Sequence, residues 1–408
     1  MRKKLFIAGL TSLILTGALL LSGCGIVRST GSTAQASAAE QTAASGSAGA
    51  IPSAAVTAVS DSELLTQRDL AQTADLSEAK AVTLSDGETV TITEAGVYVL
   101  SGSAKDAQVV VAAGDEDKVQ LVLDGLSIVN TSRPCILVEN ADKVFLTSAE
   151  GSENELTVSG SFGGDEDAVI YARDDLVLNG LGAVTVSSSG DGIRSGDDLK
   201  LTGGSWNVTA ANTTVKAHDS ILVYDGAYEL TAGSDGLHAE DGDDDTVGSI
   251  LIEGGSLTIQ AGDDGIHATT SATVNGGTFT ITAAEGIEAT QVIINDGEIG
   301  ISASDDGVNA GRKSKSLSVK IEVNGGRLTI AMGAGDTDGI DSNGDLIITG
   351  GVIDITGQSP FDYDSSCSYT GGTIIVNGTE TNSVTNQMMG GGMGHMGGPG
   401  GGFGGKRG

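Results

Sequence analysis

The second half of the chain repeats a five-residue motif of the form Asp-Gly-Ile-x-Ala at a nearly fixed interval. It reads Asp191-Gly192-Ile193-Arg194-Ser195, Asp235-Gly236-Leu237-His238-Ala239 and Asp264-Gly265-Ile266-His267-Ala268. It continues as Glu285-Gly286-Ile287-Glu288-Ala289, Asp306-Gly307-Val308-Asn309-Ala310 and Asp338-Gly339-Ile340-Asp341-Ser342. Gly265, Gly286 and Gly307 stand 21 residues apart. A period of that length means one supersecondary unit stacked on copies of itself. It also sets the acidic residue before each glycine into a column.

Between motifs, each repeat carries an apolar strand and a pair of turn residues ending in glycine. Two residues after that glycine come Trp206, Tyr228, Leu257, Phe279, Ile299, Leu328, Ile353 and Ile374. Four after it come Val208, Leu230, Ile259, Ile281, Ile301, Ile330, Ile355 and Val376. Apolar residues two apart signal strands with one buried face. Three such strands per 21 to 22 residues, punctuated by Gly, Asn and Asp, predict an all-β, three-sided parallel β-helix. Residues 76–380 supply roughly twelve coils, a single domain with one continuous core. Helical periodicity is absent beyond residue 80. Leucine-rich and nonapeptide calcium repeats have other signatures and are excluded. The spacing stretches at residues 241–249 and 311–320, which are expected as loops on one edge.

Residues 1–23 combine Arg2, Lys3 and Lys4 with an apolar run ending in Leu21-Ser22-Gly23-Cys24. This pattern predicts a lipoprotein signal peptide, with lipid on Cys24 anchoring the mature chain outside the cytoplasm, on the bacterial cell membrane. Residues 24–75, rich in Ala, Ser, Thr and Gly at their start, are expected as a flexible tether. Residues 381–408 are expected as a disordered Gly/Met-rich tail, with Met393, His395 and Met396 as a soft-metal alternative. The formal charge of −33 makes nucleic acid an implausible partner and a cation a plausible one. Cys135 and Cys367 are too many coils apart to bridge and are expected as buried small hydrophobes.

The acidic column contains Asp191, Asp235, Asp264, Glu285, Asp306 and Asp338, interrupted at Thr213. Coils repeat at about 4.8 Å, so neighbouring carboxylates repel by roughly 3 kcal/mol at an effective dielectric of 20. Calcium between them is one remedy, with Asp263, Asp305, Asp336, Asp341 and turn carbonyls completing its six to eight oxygens. Ordinary Asp-Gly turn chemistry is the alternative. The acidic insertion with Asp241, Asp243 and Asp245 is a second calcium candidate, although its sixth and twelfth positions are not those of an EF-hand. The outward residue of each motif runs Arg194, Lys216, His238, His267, Glu288, Asn309, Asp341. Such a ladder suits ligand binding, with His238, His267, Glu288 and Asn309 as its centre; the alternative is the ordinary polarity of any outward position. The two histidines also offer part of a transition-metal site, without an obvious third ligand.

These segments resemble a bacterial family of calcium-dependent carbohydrate-binding proteins built on a pectate-lyase-like right-handed β-helix. The resemblance is carried by Thr91-Ile92-Thr93-Glu94-Ala95-Gly96-Val97-Tyr98, by Leu121-Val122-Leu123-Asp124-Gly125-Leu126, by Gly151-Ser152-Glu153-Asn154 and by the D-G-I repeats. Thr213-Thr214 departs from the pattern. The resemblance implies a right-handed coil, calcium, and a surface protein that binds cellulose or pectic acid without being an enzyme. Trp206 and Tyr228 point inward in the alignment, so stacking on sugar rings is not expected from them. The alternative is a calcium-dependent pectate-type lyase with Lys216 as base, its pKa lowered by Arg194 one coil away. A passive spacer, the third reading, would need no carboxylate column.

Overall fold

The computed structural model describes residues 64–334 and 337–386. The signal segment, Cys24, Asp336, Met393, His395 and Met396 lie outside the described residues. Among those described there is no α-helix, and 34 strands join in one hydrogen-bonded network. Strands pair with their counterparts one coil away rather than with their neighbours in sequence. Val215–Ala217, for example, sits between Asp191–Ser195 and Leu237–Ala239, parallel to both. The same holds for Ser220–Val223 between Asp198–Leu201 and Ser249–Ile252, and for Ala227–Ala232 between Ser205–Ala210 and Ser256–Gln260. Three strands per turn, each stacked on its own kind, make a three-sided parallel β-helix of roughly twelve coils.

The inward columns are those of the sequence alignment. Trp206, Tyr228, Leu257 and Phe279 are consecutive partners in one ladder, and Trp206 is 1% exposed. Ile193, Val215, Leu237, Ile266, Ile287, Val308 and Ile340 form another fully interior ladder. Each coil alone could not bury these side chains; stacking removes both their faces from water. At the C-terminal end Thr379–Thr381 folds back antiparallel on Thr373–Val376, which covers an otherwise bare edge.

Two kinds of glycine serve the coil. The pair glycines Gly204, Gly226, Gly255 and Gly277 take φ from 84° to 116°, a turn conformation that side chains resist. The motif glycines do something else, and here simple turn chemistry is corrected. A Cβ on Gly265 would lie 2.6 Å from the carbonyl oxygen of Gly286, and one on Gly286 would lie 2.3 Å from that of Gly307. They are glycine because the next coil's backbone passes there. In the deviant coil the Thr214 hydroxyl donates to the Gly236 carbonyl at 2.6 Å.

Three further expectations are revised or sharpened. The packed domain begins before residue 76. Asp69 is fully buried, accepts the Thr66 N–H, and lies 3.6 Å from Lys143 and 3.4 Å from Lys200. Gln72 donates to the Thr202 carbonyl and accepts from Gly180, while the Arg68 guanidinium covers the Phe145 ring at 4.4 Å. Residues 64–75 are therefore a strap on the β-helix rather than part of a free tether. Cys135 is buried, which pushes its thiol up to about 12. Cys367 occupies the expected column beside Leu346 but is only half-buried, because it lies in the last coil. The two insertions meet: the Lys315 N–H donates to Asp245 at 3.2 Å.

Gly286→Ala should lower stability by about 3 kcal/mol through overpacking against a backbone carbonyl. Gly242→Ala, where a Cβ would meet nothing within 4 Å, should stay within about 0.5 kcal/mol of the parent. Chemical denaturation of both variants checks this; equal losses would contradict the assigned role of the motif glycine.

Candidate functional site

The outward ladder is real and longer than the repeat suggested. Strand alternation turns each motif isoleucine inward and the next residue outward. Cross-coil partners run Tyr171, Arg194, Lys216, His238, His267, Glu288, Asn309, Asp341 and Asp362. At about 4.8 Å per coil they form one continuous strip on one sheet. The carboxylate column runs beside it, and the strip divides into a basic, a histidine and an acidic zone.

In the basic zone Arg194 is fixed. Its Nη1 donates to Asp167 at 3.0 Å, its Nη2 lies 3.2 Å from His218 Nε2, and its guanidinium sits 5.5 Å over the Tyr171 ring. Lys216 lies in register between Arg194 and His238. Asp191 beside them is 4% exposed and accepts the Thr213 N–H at 3.1 Å. Burial raises its carboxyl, and the Thr213 amide, Lys216 and Arg194 oppose that rise.

The histidine zone pairs its carboxylates with imidazoles. His238 Nδ1 is 2.7 Å from Asp235 Oδ2, and its Nε2 is 3.1 Å from Glu240 Oε2. His267 Nδ1 is 2.6 Å from Asp264 Oδ2 and 3.0 Å from Glu288 Oε2. The two rings stack 4.5 Å apart and nearly parallel. Asp235 also accepts the Asp264 N–H at 3.1 Å, so both its oxygens are engaged. Lys313, on the second insertion, reaches Glu288 at 2.6 Å. Burial opposes charge on His267, but Asp264 and Glu288 outweigh it and raise the imidazole to about 10. Burial likewise opposes ionisation of Glu288, yet His267 and Lys313 hold it down at about 2.

The acidic zone has no such relief. Burial first, then Asp306, Asp362, Asp338 and Asp364, push Asp341 up to about 7. Glu285 is raised to about 7 by burial and by Glu288, Asp264 and Asp306, against the Asn309 amide. Asp306 rises to about 6 by burial and by Asp305 and Asp338, against the Asp338 N–H that it accepts at 3.0 Å. Asn309 gives its amide N–H to Glu285 at 2.9 Å, leaving its own buried Oδ1 without a donor. Asp362 Oδ1 is buried without a donor too. These groups offer oxygen alone, the donor type that a hard cation such as calcium takes.

Of the remaining candidates, Asp263 and Asp305 are exposed on the turns before the column. Asp241 accepts the Asp243 N–H at 3.0 Å, and Asp245 lies 3.8 Å from the Lys315 ammonium. Tyr171, Glu240, Lys313 and Asp362 were missed in the sequence. Aligning Ile170-Tyr171-Ala172 and Phe361-Asp362-Tyr363 with the motif would have found two of them. Glu240 and Lys313 had no such signal, since both lie outside the repeat.

A family model described as "Carbohydrate-binding domain-containing protein" matches residues 86–337. A protein of that description from Acetivibrio thermocellus is 38% identical over 135 residues, 31% of this chain and 45% of the relative. The match therefore spans less than half of that relative's length. A solved structure, described as a gadolinium derivative of the polysaccharide lyase-like protein from C. thermocellum, is similar with 30% identity and a TM-score of 0.49. That similarity covers 54% of this chain and 96% of the other.

Glu285, Asp306 and Asp341 hold protons more tightly in the folded state than in the unfolded one. Their stabilisation is full below the usual carboxylate pKa near 4 and is lost as pH rises through about 6 to 7. His267 acts in the same sense, losing its contribution between about 6.5 and 10. The metal-free protein should thus melt at a lower temperature at pH 8 than at pH 5.5, and Asp341→Asn should shrink the difference. A melting temperature that climbs over this range would refute the assignment.

Proposed function

The chain belongs to the family of carbohydrate-binding domain-containing proteins, and on that premise we propose that its ladder face binds an acidic or plant-type polysaccharide, cellulose or pectic acid, without cleaving it. The observation that carries this reading is the unbroken strip from Tyr171 to Asp362, in register on the outward face of one sheet and half-buried to buried along its length. A repeating polymer meets a repeating surface there. Trp206 and Tyr228 are core residues, so Tyr171 is the aromatic contribution of the strip and recognition rests on polar groups.

A chain of formal charge −33 repels a polyuronate. Calcium, when bound, supplies the positive charge that makes this pairing favourable. Asp306, Asn309, Asp338, Asp341 and Asp362 would hold it, while Arg194, Lys216 and Lys313 attract acidic sugars directly. Lipid on Cys24 would display the domain on the outer face of the bacterial cell membrane. Against a lyase, Arg194 is committed to Asp167 and His218, and Lys216 stands in the coil where Thr213 replaces the acidic residue.

The soluble domain should be retained on immobilised polygalacturonate or cellulose, released by chelator and rebound on adding calcium. Asp341→Asn combined with Asp362→Asn should weaken calcium binding at least about tenfold, measured by calorimetry. Polygalacturonate incubated with the protein should gain no ultraviolet-absorbing unsaturated ends. Growth of that absorbance, abolished by Lys216→Ala, would establish the lyase instead.

A further inference from the structure

We propose that His238, His267 and Glu240 form a binding site for a transition-metal dication of the zinc class, distinct from the oxygen-only end of the ladder. The sequence offered two histidines and no third ligand; the fold brings in Glu240, two residues beyond His238 and at the mouth of the groove between the insertions. One ligand atom from each residue lies within 4.8 Å of the others. Metal–ligand bonds of about 2.0 to 2.2 Å need donors roughly 3.3 Å apart, so a shift of up to about 1.5 Å closes the site. Glu240 Oε2 already lies 3.1 Å from His238 Nε2, so the movement is that of the His267 ring toward this pair.

The histidines are already oriented for the task. Each gives its Nδ1 side to a carboxylate, His238 to Asp235 and His267 to Asp264 and Glu288. That leaves Nε2 as the outward nitrogen of both rings, and the stacked, nearly parallel rings present the two atoms side by side. A carboxylate behind each ligating imidazole fixes its tautomer and raises its basicity. Binding replaces the proton on a cationic imidazole's Nε2, and that proton leaves to solvent. Two nitrogens and one carboxylate suit zinc, whereas calcium prefers oxygen alone. Glu240 also lines the groove whose walls include Asp241, Asp243, Asp245, Lys313 and Lys315.

The site is tested by titrating the chelator-treated, full-length protein with zinc in saturating calcium, and with cobalt as a coloured substitute. One saturable equivalent is expected, with a visible cobalt band of a low-coordinate nitrogen/oxygen site. His238→Gln and Glu240→Gln should each weaken zinc binding at least about tenfold, and Asp235→Asn about ten- to a hundredfold. Glu240 is exposed, so its variant should keep the parent melting temperature. His395→Ala should leave zinc affinity unchanged. Absence of saturable binding overturns the proposal, as does parent affinity in both His238→Gln and Glu240→Gln. Zinc affinity lost in His395→Ala or Asp341→Asn, but not in His238→Gln, overturns it too.

Discussion

Everything in this molecule follows from stacking backbone on backbone at the spacing of a hydrogen bond. A coil that must satisfy its amides and carbonyls on the coils above and below puts each residue about 4.8 Å from its equivalents. Apolar columns gain from this repetition, since Trp206 on Tyr228 or Ile266 on Ile287 buries both partners. Charged columns suffer from it. The same register that builds the core multiplies any like-charge contact along the axis.

The acidic column shows three answers to that problem. At Asp191 the carboxylate is turned to a backbone amide of the next coil and lies beside Arg194 and Lys216. At Asp235 and Asp264 each carboxylate pairs with an imidazole, and Glu288 joins with Lys313 as counter-ion. At Glu285 and Asp306, and at Asp341 of the ladder beside them, the neighbours are acidic, and the groups respond by holding protons toward neutral pH. A uniform motif thus produces a strip graded from cationic to anionic, because only the outward residue changes from coil to coil.

The fold was legible because strand period, repeat period and turn glycine agreed with one another. Columns read from spacing alone reappear as cross-coil partners from Trp206 to Ile374. The site was legible only in part. Repetition predicted that Asp235 and Asp264 would face each other, but not that His238 and His267 would fold their Nδ1 atoms onto them, since rotamers are set by local packing. Contacts made by insertions and by the strap carry no period at all. Asp69 meets Lys200 across 131 residues of sequence, and Lys315 meets Asp245 across 70. The motif glycine was illegible for the opposite reason: Asp-Gly allows a turn as one reading, while the glycine's cause lies in a neighbouring coil's carbonyl.

The Thr213-Thr214 coil ties these points together. It lacks the acidic side chain and the small residue, yet the stack passes through it without a break: Thr213 gives its amide to Asp191, and Thr214 gives its hydroxyl to the Gly236 carbonyl. A hydroxyl that can follow a neighbouring carbonyl does there what the absence of a Cβ does elsewhere. The acidic residue is therefore dispensable to the coil itself. Its presence in the other coils, at a repulsive cost that burial increases, matches the partners that coil stacking gives it, imidazoles in the middle of the strip and retained protons at its acidic end.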